Sequence, residues 1–353
     1  MVLKKLFLVM VVGAFVLSSC APKTQRAAIN NALVEAEAQK QKEIALITSL
    51  NYQNRLDDVS FPLLVAALPF CEMKSVLKLG IKFVNKYSFD AEYQDTAISV
   101  FNVGEPLQIG SITSGAPSDD KGLKVGDILI NINDTEMPTG KDATKSTLKI
   151  LSEDLEPDHP VKLTFYRDGQ RNEYLITPEA LCDYPVLLGS DDDINAYADG
   201  KVIVINKGML RFVDSNQELS FVIAHELAHN AMSHIKAKTA NMAIGSIFDI
   251  LAAAYGVNTQ GSFGRIGAQA YSKKFEEESD YVALYILARS DQQIDNVADF
   301  WRKLAAENPG SIKRTGYSSH PSTPERFVAI ENAVIEINQK KENGEPLLPN
   351  MKK

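Results

Sequence analysis

The chain has 353 residues, of which 45% are hydrophobic and 23% are charged, and its formal net charge at pH 7 is −8. This length allows two domains with separate cores. No block of Lys and Arg occurs outside the extreme N-terminus, and together with the acidic balance this argues against nucleic acid as a partner.

The N-terminus has the layout of a signal peptide. Lys4 and Lys5 precede an apolar run from Leu6 to Leu17, which is too short to span a bilayer comfortably. The run ends in a Leu-Ser-Ser-Cys sequence at Cys20, which resembles the cleavage site of bacterial lipoproteins. The alternative is an ordinary signal peptide with an incidental cysteine.

The lipoprotein resemblance implies a location for the protein. The signal peptide would comprise residues 1–19, and Cys20 would carry several acyl chains that anchor the protein to a lipid membrane. The protein would then be lipid-anchored in the bacterial envelope and face the periplasm. Because Ala21, and not Asp, follows the cysteine, the resemblance favours the outer membrane over the inner membrane.

The two remaining cysteines are Cys71 and Cys182. An exported protein folds in an oxidising compartment, so an even pair favours a disulfide bond between them. The alternative is two buried free thiols.

The residues between the lipidation site and the first cysteine divide into two segments. Residues 20–55 are rich in Ala, Gln, Glu and Lys with sparse apolar positions, which predicts a helical tether leading away from the lipid. Residues 56–90 are more apolar, and we assign them to the N-terminal part of the C-terminal domain.

Residues 91–179 predict a small β-rich module. Stretches such as Ala97–Phe101 and Leu107–Ile112 alternate, and Gly and Asp turns separate them. Ser114-Gly115-Ala116-Pro117, followed by the Gly-Leu-Lys-Val-Gly-Asp-Ile-Leu phrase from Gly122, resembles a PDZ domain. That resemblance implies a peptide ligand that adds a strand to a sheet edge; the alternative is a module that only spaces or orients the rest.

From residue 180 onward the chain alternates between strand and helix signals. Ile194–Ala198 and Lys201–Ile205 predict a β-hairpin with a type I′ turn at Asp199-Gly200. Ser215-Asn216-Gln217-Glu218 is typical of a capping box. The helix that it begins continues through His225-Glu226-Leu227-Ala228-His229.

This H-E-x-x-H sequence points to metal chemistry. On a helix the two histidines lie roughly 40° apart on one face, so both imidazoles can bind one zinc ion. Glu226 can reach a metal-bound water, take its proton and deliver it to the leaving amine. The alternative is a chance match on a surface helix.

A catalytic zinc ion needs a third protein ligand. On a continuing helix His234 would lie roughly 180° from His225, which predicts a surface or packing histidine. A second helix places Glu276 and Asp280 on one face, where Asp280 could brace a zinc-binding histidine. The pattern alone does not separate Glu276 from Glu277, and both could simply solvate the helix.

Residues 180–340 resemble the gluzincin metallopeptidases, a group that includes the CAAX prenyl proteases, HtpX and BepA-like periplasmic proteases. The resemblance is carried by an Asn-Ala strand at Asn195-Ala196, the H-E-x-x-H sequence, the Glu276–Asp280 block, and the His320-Pro pair with Arg326 downstream. Lys273 and Ser279 depart from the group, where Arg and Ala are common.

The gluzincin resemblance assigns a role to each of these residues. His225, His229 and Glu276 would bind one zinc ion (Zn²⁺) per chain, and Glu226 would be the catalytic base. His320 would be catalytic, either as a gate near the zinc or by stabilising the oxyanion, although it could simply pack in a turn. Arg326 would hold Asp280, and the Asn195-Ala196 strand would present its edge to the substrate backbone.

The predicted fold class is α+β. It consists of a mainly helical, zincin-type metallopeptidase domain with a small edge-strand sheet, an inserted β-rich PDZ-like domain, and a flexible tail at 341–353. The predicted function is zinc-dependent endopeptidase action on envelope or misfolded proteins, with protein or peptide substrates. A chaperone-like assembly factor, or a PDZ scaffold with little proteolysis, is the alternative.

Overall fold

The computed structural model describes residues 27–71, 75–254, 260, 272–307, 320 and 322–350. The predicted signal peptide and the predicted lipidation site at Cys20 lie outside these residues. Residues 1–42 and 43–353 form two compact units. In the described ranges, no helix combines the length and the hydropathy needed to cross a membrane.

The described helices and strands follow one another in three groups along the chain. A long helix and two strands come first: α1 (Asn31–Ala66), β1 (Ser75–Lys78) and β2 (Ile81–Val84). The middle of the chain is mostly β: α2 (Gln94–Phe101), β3 (Gln108–Ile112), β4 (Ile128–Ile132), β5 (Thr135–Glu136), α3 (Ala143–Asp154), β6 (Val161–Arg167), β7 (Gln170–Ile176) and β8 (Glu179–Cys182). The last part is mostly helical: β9 (Val186–Gly189), β10 (Ala196–Ala198), β11 (Ile203–Asn206), α4 (Lys207–Phe212), α5 (Asn216–Ala231), α6 (His234–Ala254), α7 (Ser272–Arg289), α8 (Val297–Glu307) and α9 (Pro324–Glu342).

Helix α1 extends beyond the helical tether that the sequence predicts to end at residue 55. Its C-terminal part carries Leu56, Val59 and Leu63, all buried in the core of the C-terminal domain. The spacing of three and four residues places these side chains on one face. Burial of that face continues the helix to Ala66, so the second half of α1 is a structural part of the domain.

The middle of the chain folds around a six-stranded sheet. Five strands pair in the order β2-β3-β4-β6-β7, and β5 pairs with β4. Strand β2 (Ile81–Val84) belongs to this sheet, although the sequence places the start of the module at residue 91. Large apolar side chains from four strands fill the core: Phe83, Ile109, Ile132, Leu163 and Phe165.

Residues 97–101, which the sequence predicts as a strand, are part of helix α2. Thr96 and Ala97 are buried, Ile98 and Ser99 are exposed, and Val100 and Phe101 are again partly buried. This burial pattern has the period of a helix, with neighbours four residues apart on one face. The strand predicted from the alternating sequence was therefore wrong. The helix ends at Asn102, which has the left-handed conformation.

The chain enters and leaves this module at one place. Strand β1 pairs with β8 in a separate two-stranded sheet, with Ser75 opposite Cys182. Next to it, Cys71 and Cys182 form a disulfide bond that closes a loop with a sequence separation of 111 residues. A loop of this length gives a stabilisation of about 4–5 kcal/mol by chain entropy.

The C-terminal domain combines packed helices with a three-stranded sheet in the order β10-β11-β9. Helix α5 packs on α7, which also packs on α9. The β9 edge is covered, because the Gln53 amide of α1 donates to the Val186 carbonyl and accepts from the Leu188 N–H. Strand β10 therefore provides the other edge of the sheet, beside α5.

The predicted hairpin is present, since β10 and β11 are antiparallel, but its turn differs from the prediction. A type I′ turn needs positive φ at both central residues. Of Asp199 and Gly200, only Gly200 has a positive φ. The Asp199 carboxylate instead accepts from the backbone N–H groups of Lys201 and Val202. With helices and sheets in both domains, the α+β class is confirmed.

Candidate metal centre

Helix α5 carries the H-E-x-x-H sequence, and its start follows from local chemistry. The Ser215 hydroxyl accepts a hydrogen bond from the Glu218 N–H at 3.1 Å, which satisfies one of the free donors of the first turn. The Glu218 carboxylate accepts from the Asp214 N–H, one residue earlier than in the predicted capping box. From Leu219 to Asn230 every residue of the helix is buried, so both histidines lie inside the domain.

Four side chains bring one potential ligand atom each to a single point: His225, His229, Glu276 and His320. His225 Nε2 lies 3.2 Å from His229 Nε2 and 3.4 Å from Glu276 Oε2. Glu276 Oε1 lies 3.3 Å from His229 Nε2. Tetrahedral zinc with bonds of 2.0–2.1 Å requires ligand atoms about 3.3 Å apart, so these three residues fit a zinc ion.

His320 completes the same cluster. Its Nδ1 lies 3.4 Å from His225 Nε2 and 2.9 Å from Glu276 Oε2. Its Nε2 points the other way and lies 3.6 Å from Glu226 Oε1. The imidazole therefore stands between the ligand cluster and Glu226, at the position of a fourth ligand.

The structure distinguishes the two glutamates between which the pattern did not decide. Glu276 is 3% exposed, whereas its neighbour Glu277 is exposed. Burial would raise the pKa of Glu276, but the charge of His320 and hydrogen bonds from His225 and His229 outweigh it and hold the pKa well below its usual range. A buried carboxylate that stays ionised is a suitable ligand for a cation.

Asp280 and Arg326 form a buried layer behind the cluster. The Arg326 guanidinium donates to both Asp280 carboxylate oxygens, from Nε at 2.7 Å and from Nη2 at 2.8 Å. Its Nη1 lies 3.1 Å from Glu276 Oε2. Burial would raise the pKa of Asp280, but the charge of Arg326 and a hydrogen bond from His225 lower it. Arg326 therefore holds Asp280 ionised and also pairs with the Glu276 carboxylate.

Asp280 also contacts the ring of His225. Asp280 Oδ1 lies 3.0 Å from His225 Nδ1, although that ring nitrogen has no hydrogen bond of good geometry. A small rotation of either side chain would align the pair. Burial favours the neutral ring, but hydrogen bonds that the ring donates to the Asp280 and Glu276 carboxylates raise the pKa of His225 to about 10. The site thus favours positive charge at the position of a metal ion.

Glu226 lies beside the cluster but is not part of it. Its side chain is buried, and its Oε1 lies 3.6 Å from Nε2 of the His320 ring. This position suits a general base, which has to reach a water molecule on the metal without binding the metal itself.

Strand β10 contains Ala196, which lies opposite Ile205 of β11, and Asn195 directly precedes it. Among the described strands β10 pairs with β11 alone, and it contacts helix α5. An extended peptide could therefore pair with its open edge next to the metal centre.

Asn230, which sequence reasoning missed, ties this hairpin to the site. Its side chain accepts from the Gly200 N–H at 2.8 Å and donates to the Val202 carbonyl at 3.1 Å. Because Asn230 directly follows His229, the strand edge is fixed relative to the ligands. The signal for it was weak: a polar side chain in an otherwise apolar part of the helix.

His234 is a buried packing residue outside the ligand cluster, within the predicted choice of a surface or packing histidine. The expected continuous helix was wrong, because α5 ends at Ala231 and Ser233 has a φ of +57°. His234 begins α6 and is 3% exposed. It is not part of the ligand cluster, as predicted, but it is hydrogen bonded to His229.

A separate groove of about 550 Å³ lies against the middle module. One wall is the edge strand β2, and a second wall is helix α3, with Thr144, Thr147, Leu148 and Leu151. Helix α1 and residues 181–187 form the third wall.

Gly80 precedes β2 with a φ of +78°, and a Cβ there would lie 2.1 Å from Ala116 Cβ, so this turn requires glycine.

Comparisons with known proteins support the division of the chain into a middle module and a C-terminal domain. Residues 179–334 match the model of Peptidase family M48, and residues 78–177 match the model of a PDZ domain. The two matches confirm the predicted resemblances of the two domains.

The chain is also similar to individual proteins over part of its length. The chain is similar to the mitochondrial metalloendopeptidase OMA1 of Schizosaccharomyces pombe, with 27% identity over 224 residues that cover 60% of this chain and 65% of the relative. It is 29% identical to the metalloprotease YcaL of Escherichia coli over 160 residues, 43% of this chain and 62% of the relative. Over 149 residues it is 27% identical to the beta-barrel assembly-enhancing protease of Escherichia coli, 37% of this chain and 29% of the relative. The chain thus spans less than two thirds of the length of each.

Proposed function

We propose that this protein is a zinc-dependent endopeptidase in which His225, His229 and Glu276 hold the metal and Glu226 is the general base. One observation carries the proposal: the buried His225, His229 and Glu276 bring ligand atoms to within 3.2–3.4 Å of one another, the spacing of tetrahedral zinc, and Glu226 lies beside this cluster. The match of residues 179–334 to a metallopeptidase family supports it.

When bound, zinc supplies a Lewis acid that polarises the peptide carbonyl and lowers the pKa of water. Glu226 accepts the proton of the attacking water and passes it to the leaving amine nitrogen. Asp280 orients His225, and Arg326 pairs with both Asp280 and Glu276 and keeps Asp280 ionised. Such outer contacts fix the orientation of ligands and tune the metal.

His320 has two roles in this proposal. In this structure Nδ1 closes the ligand cluster, so the ring would have to withdraw before a water molecule or a substrate carbonyl could take the fourth position on the metal. Once withdrawn, the imidazole remains near the reacting carbonyl and can donate a hydrogen bond to the developing oxyanion. The 3.6 Å distance between Nε2 and the Glu226 carboxylate places the ring beside the proposed base.

Substrates are proteins or peptides in extended conformation. The open edge of β10, with Asn195 and Ala196 at its start, would pair with the substrate backbone. The family relationship suggests envelope or misfolded proteins as substrates. Anchoring through Cys20 to the outer membrane would place the enzyme in the periplasm, consistent with a disulfide bond between Cys71 and Cys182.

The proposal predicts that removing the metal abolishes proteolysis reversibly. Treatment of the purified protein with a zinc chelator should stop cleavage of an unfolded protein such as casein, because the polarising charge is lost. Addition of one equivalent of zinc after removal of the chelator should restore cleavage. Cleavage that persists in the metal-free protein would contradict the proposal.

The PDZ domain would recruit part of the substrate through the groove between β2 and α3. Leu148 lines this groove and is 56% exposed, so a bound peptide would cover its apolar surface. The probe is a pool of fluorescent hexapeptides that have a free carboxyl end and an apolar last residue. We expect Leu148→Glu to weaken binding of these peptides by about tenfold or more, because burying a leucine is worth about 1.5–3 kcal/mol. Fluorescence anisotropy measures this binding.

Val125 provides the matched control for that experiment. It lies in the same domain and is 63% exposed, and it does not line the groove. Val125→Glu should bind the peptide pool as the wild type does. Equal loss in both variants, or no binding by the wild type, would refute recruitment through the groove.

A further inference from the structure

His234 lies outside the ligand cluster but has a dense set of contacts. Its Nδ1 is 3.1 Å from His229 Nδ1 and 3.2 Å from the Ser279 hydroxyl. Its Nε2 is 2.9 Å from a carboxylate oxygen of Glu278. The ring stacks on Phe275, with centroids 4.5 Å apart and an interplanar angle of 15°. Both nitrogens and one ring face are therefore held.

The direction of these hydrogen bonds follows from the chemistry of His229. Its Nε2 faces the ligand cluster, so a metal on this atom leaves the ring proton on Nδ1. That N–H can then donate to His234 Nδ1, which must be unprotonated to accept it. The proton of His234 is then on Nε2, where the Glu278 carboxylate accepts it. The three residues thus form a chain with one consistent polarity.

The backbone explains how His234 reaches His229. The two residues are five apart and do not share one helix, because Ser233 turns the chain between α5 and α6 with a φ of +57°. This turn brings the first residue of α6 back against the last turn of α5. Non-glycine residues adopt this conformation rarely, so its presence here indicates that the surrounding contacts hold it.

The partners of His234 come from the helix that also supplies a proposed metal ligand. Phe275, Glu278 and Ser279 flank Glu276 on α7. Ser279, a departure from the resembling group, is fully buried. Helix α7 therefore supplies both the proposed ligand Glu276 and the contacts that hold His234 behind the His229 ring.

We propose that His234 is a positioning residue that fixes the tautomer and orientation of His229, with Glu278 fixing the tautomer of His234 in turn. This inference rests on the proposed function, because it needs His229 to be a metal ligand. Outer partners of metal-binding histidines typically change metal affinity by about 10- to 100-fold when they are removed.

Two substitutions of His234 test the proposal. His234→Asn places an amide oxygen near the position of Nδ1 and can still accept from His229, so its zinc affinity should stay close to that of the wild type. His234→Leu fills similar space but accepts nothing, and we expect zinc binding about 10- to 100-fold weaker. The zinc dissociation constant is measured by competition with a chromogenic chelator, and thermal melting of the metal-free proteins shows whether both fold.

A second pair of variants covers the case in which His234→Leu does not fold. The Glu278 side chain is 38% exposed, so Glu278→Ala should leave the domain folded. Without this acceptor His234 can place its proton on Nδ1, facing the N–H of His229, and zinc should bind about tenfold more weakly. Glu277→Ala, an exposed neighbour on the same helix, should bind zinc as the wild type does.

Three outcomes would overturn the proposal. The first is a wild-type zinc affinity in His234→Leu, and the second is an unchanged zinc affinity in Glu278→Ala. The third is an equal loss of zinc affinity in His234→Asn and His234→Leu, which would indicate a packing role alone. Failure of the wild type itself to bind zinc would instead refute the proposed function, so the two failures are distinguishable.

Discussion

Replacing Glu226 with glutamine should reduce peptide hydrolysis by about 10²- to 10⁴-fold, the usual contribution of a general base. Glutamine has nearly the same size and can still form hydrogen bonds, but its amide cannot accept the proton of the attacking water. Because Glu226 is outside the ligand cluster, the variant should keep its zinc. The measurement is the initial rate of cleavage of casein or of a quenched fluorescent peptide at matched zinc content.

The control for Glu226→Gln is Glu277→Gln, which makes the same chemical change at an exposed position and should cleave at the wild-type rate. The same variant also tests the chaperone-like alternative. If Glu226→Gln lost hydrolysis but fully rescued a strain deleted for this protein, proteolysis would not be its physiological role. Full retention of hydrolysis would exclude Glu226 as the base.

Replacing Glu276 with glutamine should weaken zinc binding by at least about 100-fold, more than loss of an outer partner usually does. The change removes the negative charge that His320 and Arg326 surround and replaces an ionised oxygen with a neutral amide, a poorer zinc ligand. The buried Arg326 guanidinium would also lose one of its two carboxylate partners. Competition with a chelator of known affinity measures the change, and hydrolysis should fall with zinc occupancy.

Local signals predicted the central part of the site. The spacing of His225 and His229 by four residues places them on one helix face in any α-helix, and the Ser215 cap fixed the start of that helix. The assignment of Glu276 needed the family resemblance, because helix periodicity treats Glu276 and Glu277 almost alike. The structure distinguishes them by burial, which depends on the packing of α5 against α7.

The features that the sequence did not predict depend on backbone breaks and distant pairing. A positive φ at Ser233 carries no local signature, since the residue is not glycine, and it determines the position of His234. Strand β2 joins its sheet through pairing with β3, more than twenty residues later in the chain, and such pairing cannot be derived from local alternation. At Ala97–Phe101 an apparent alternation concealed a helix whose buried face is set by the domain core.

The central claim is that His225, His229 and Glu276 form a zinc site. Its most direct test is the metal content of the purified protein, measured by inductively coupled plasma mass spectrometry for the wild type, Glu276→Gln and Glu277→Gln. The account predicts about one zinc ion per chain in the wild type and in Glu277→Gln, and little or none in Glu276→Gln. One ion per chain is expected because the ligand atoms form a single cluster with the spacing of tetrahedral zinc. A wild type without zinc, or a Glu276→Gln variant that keeps its full complement, would contradict it.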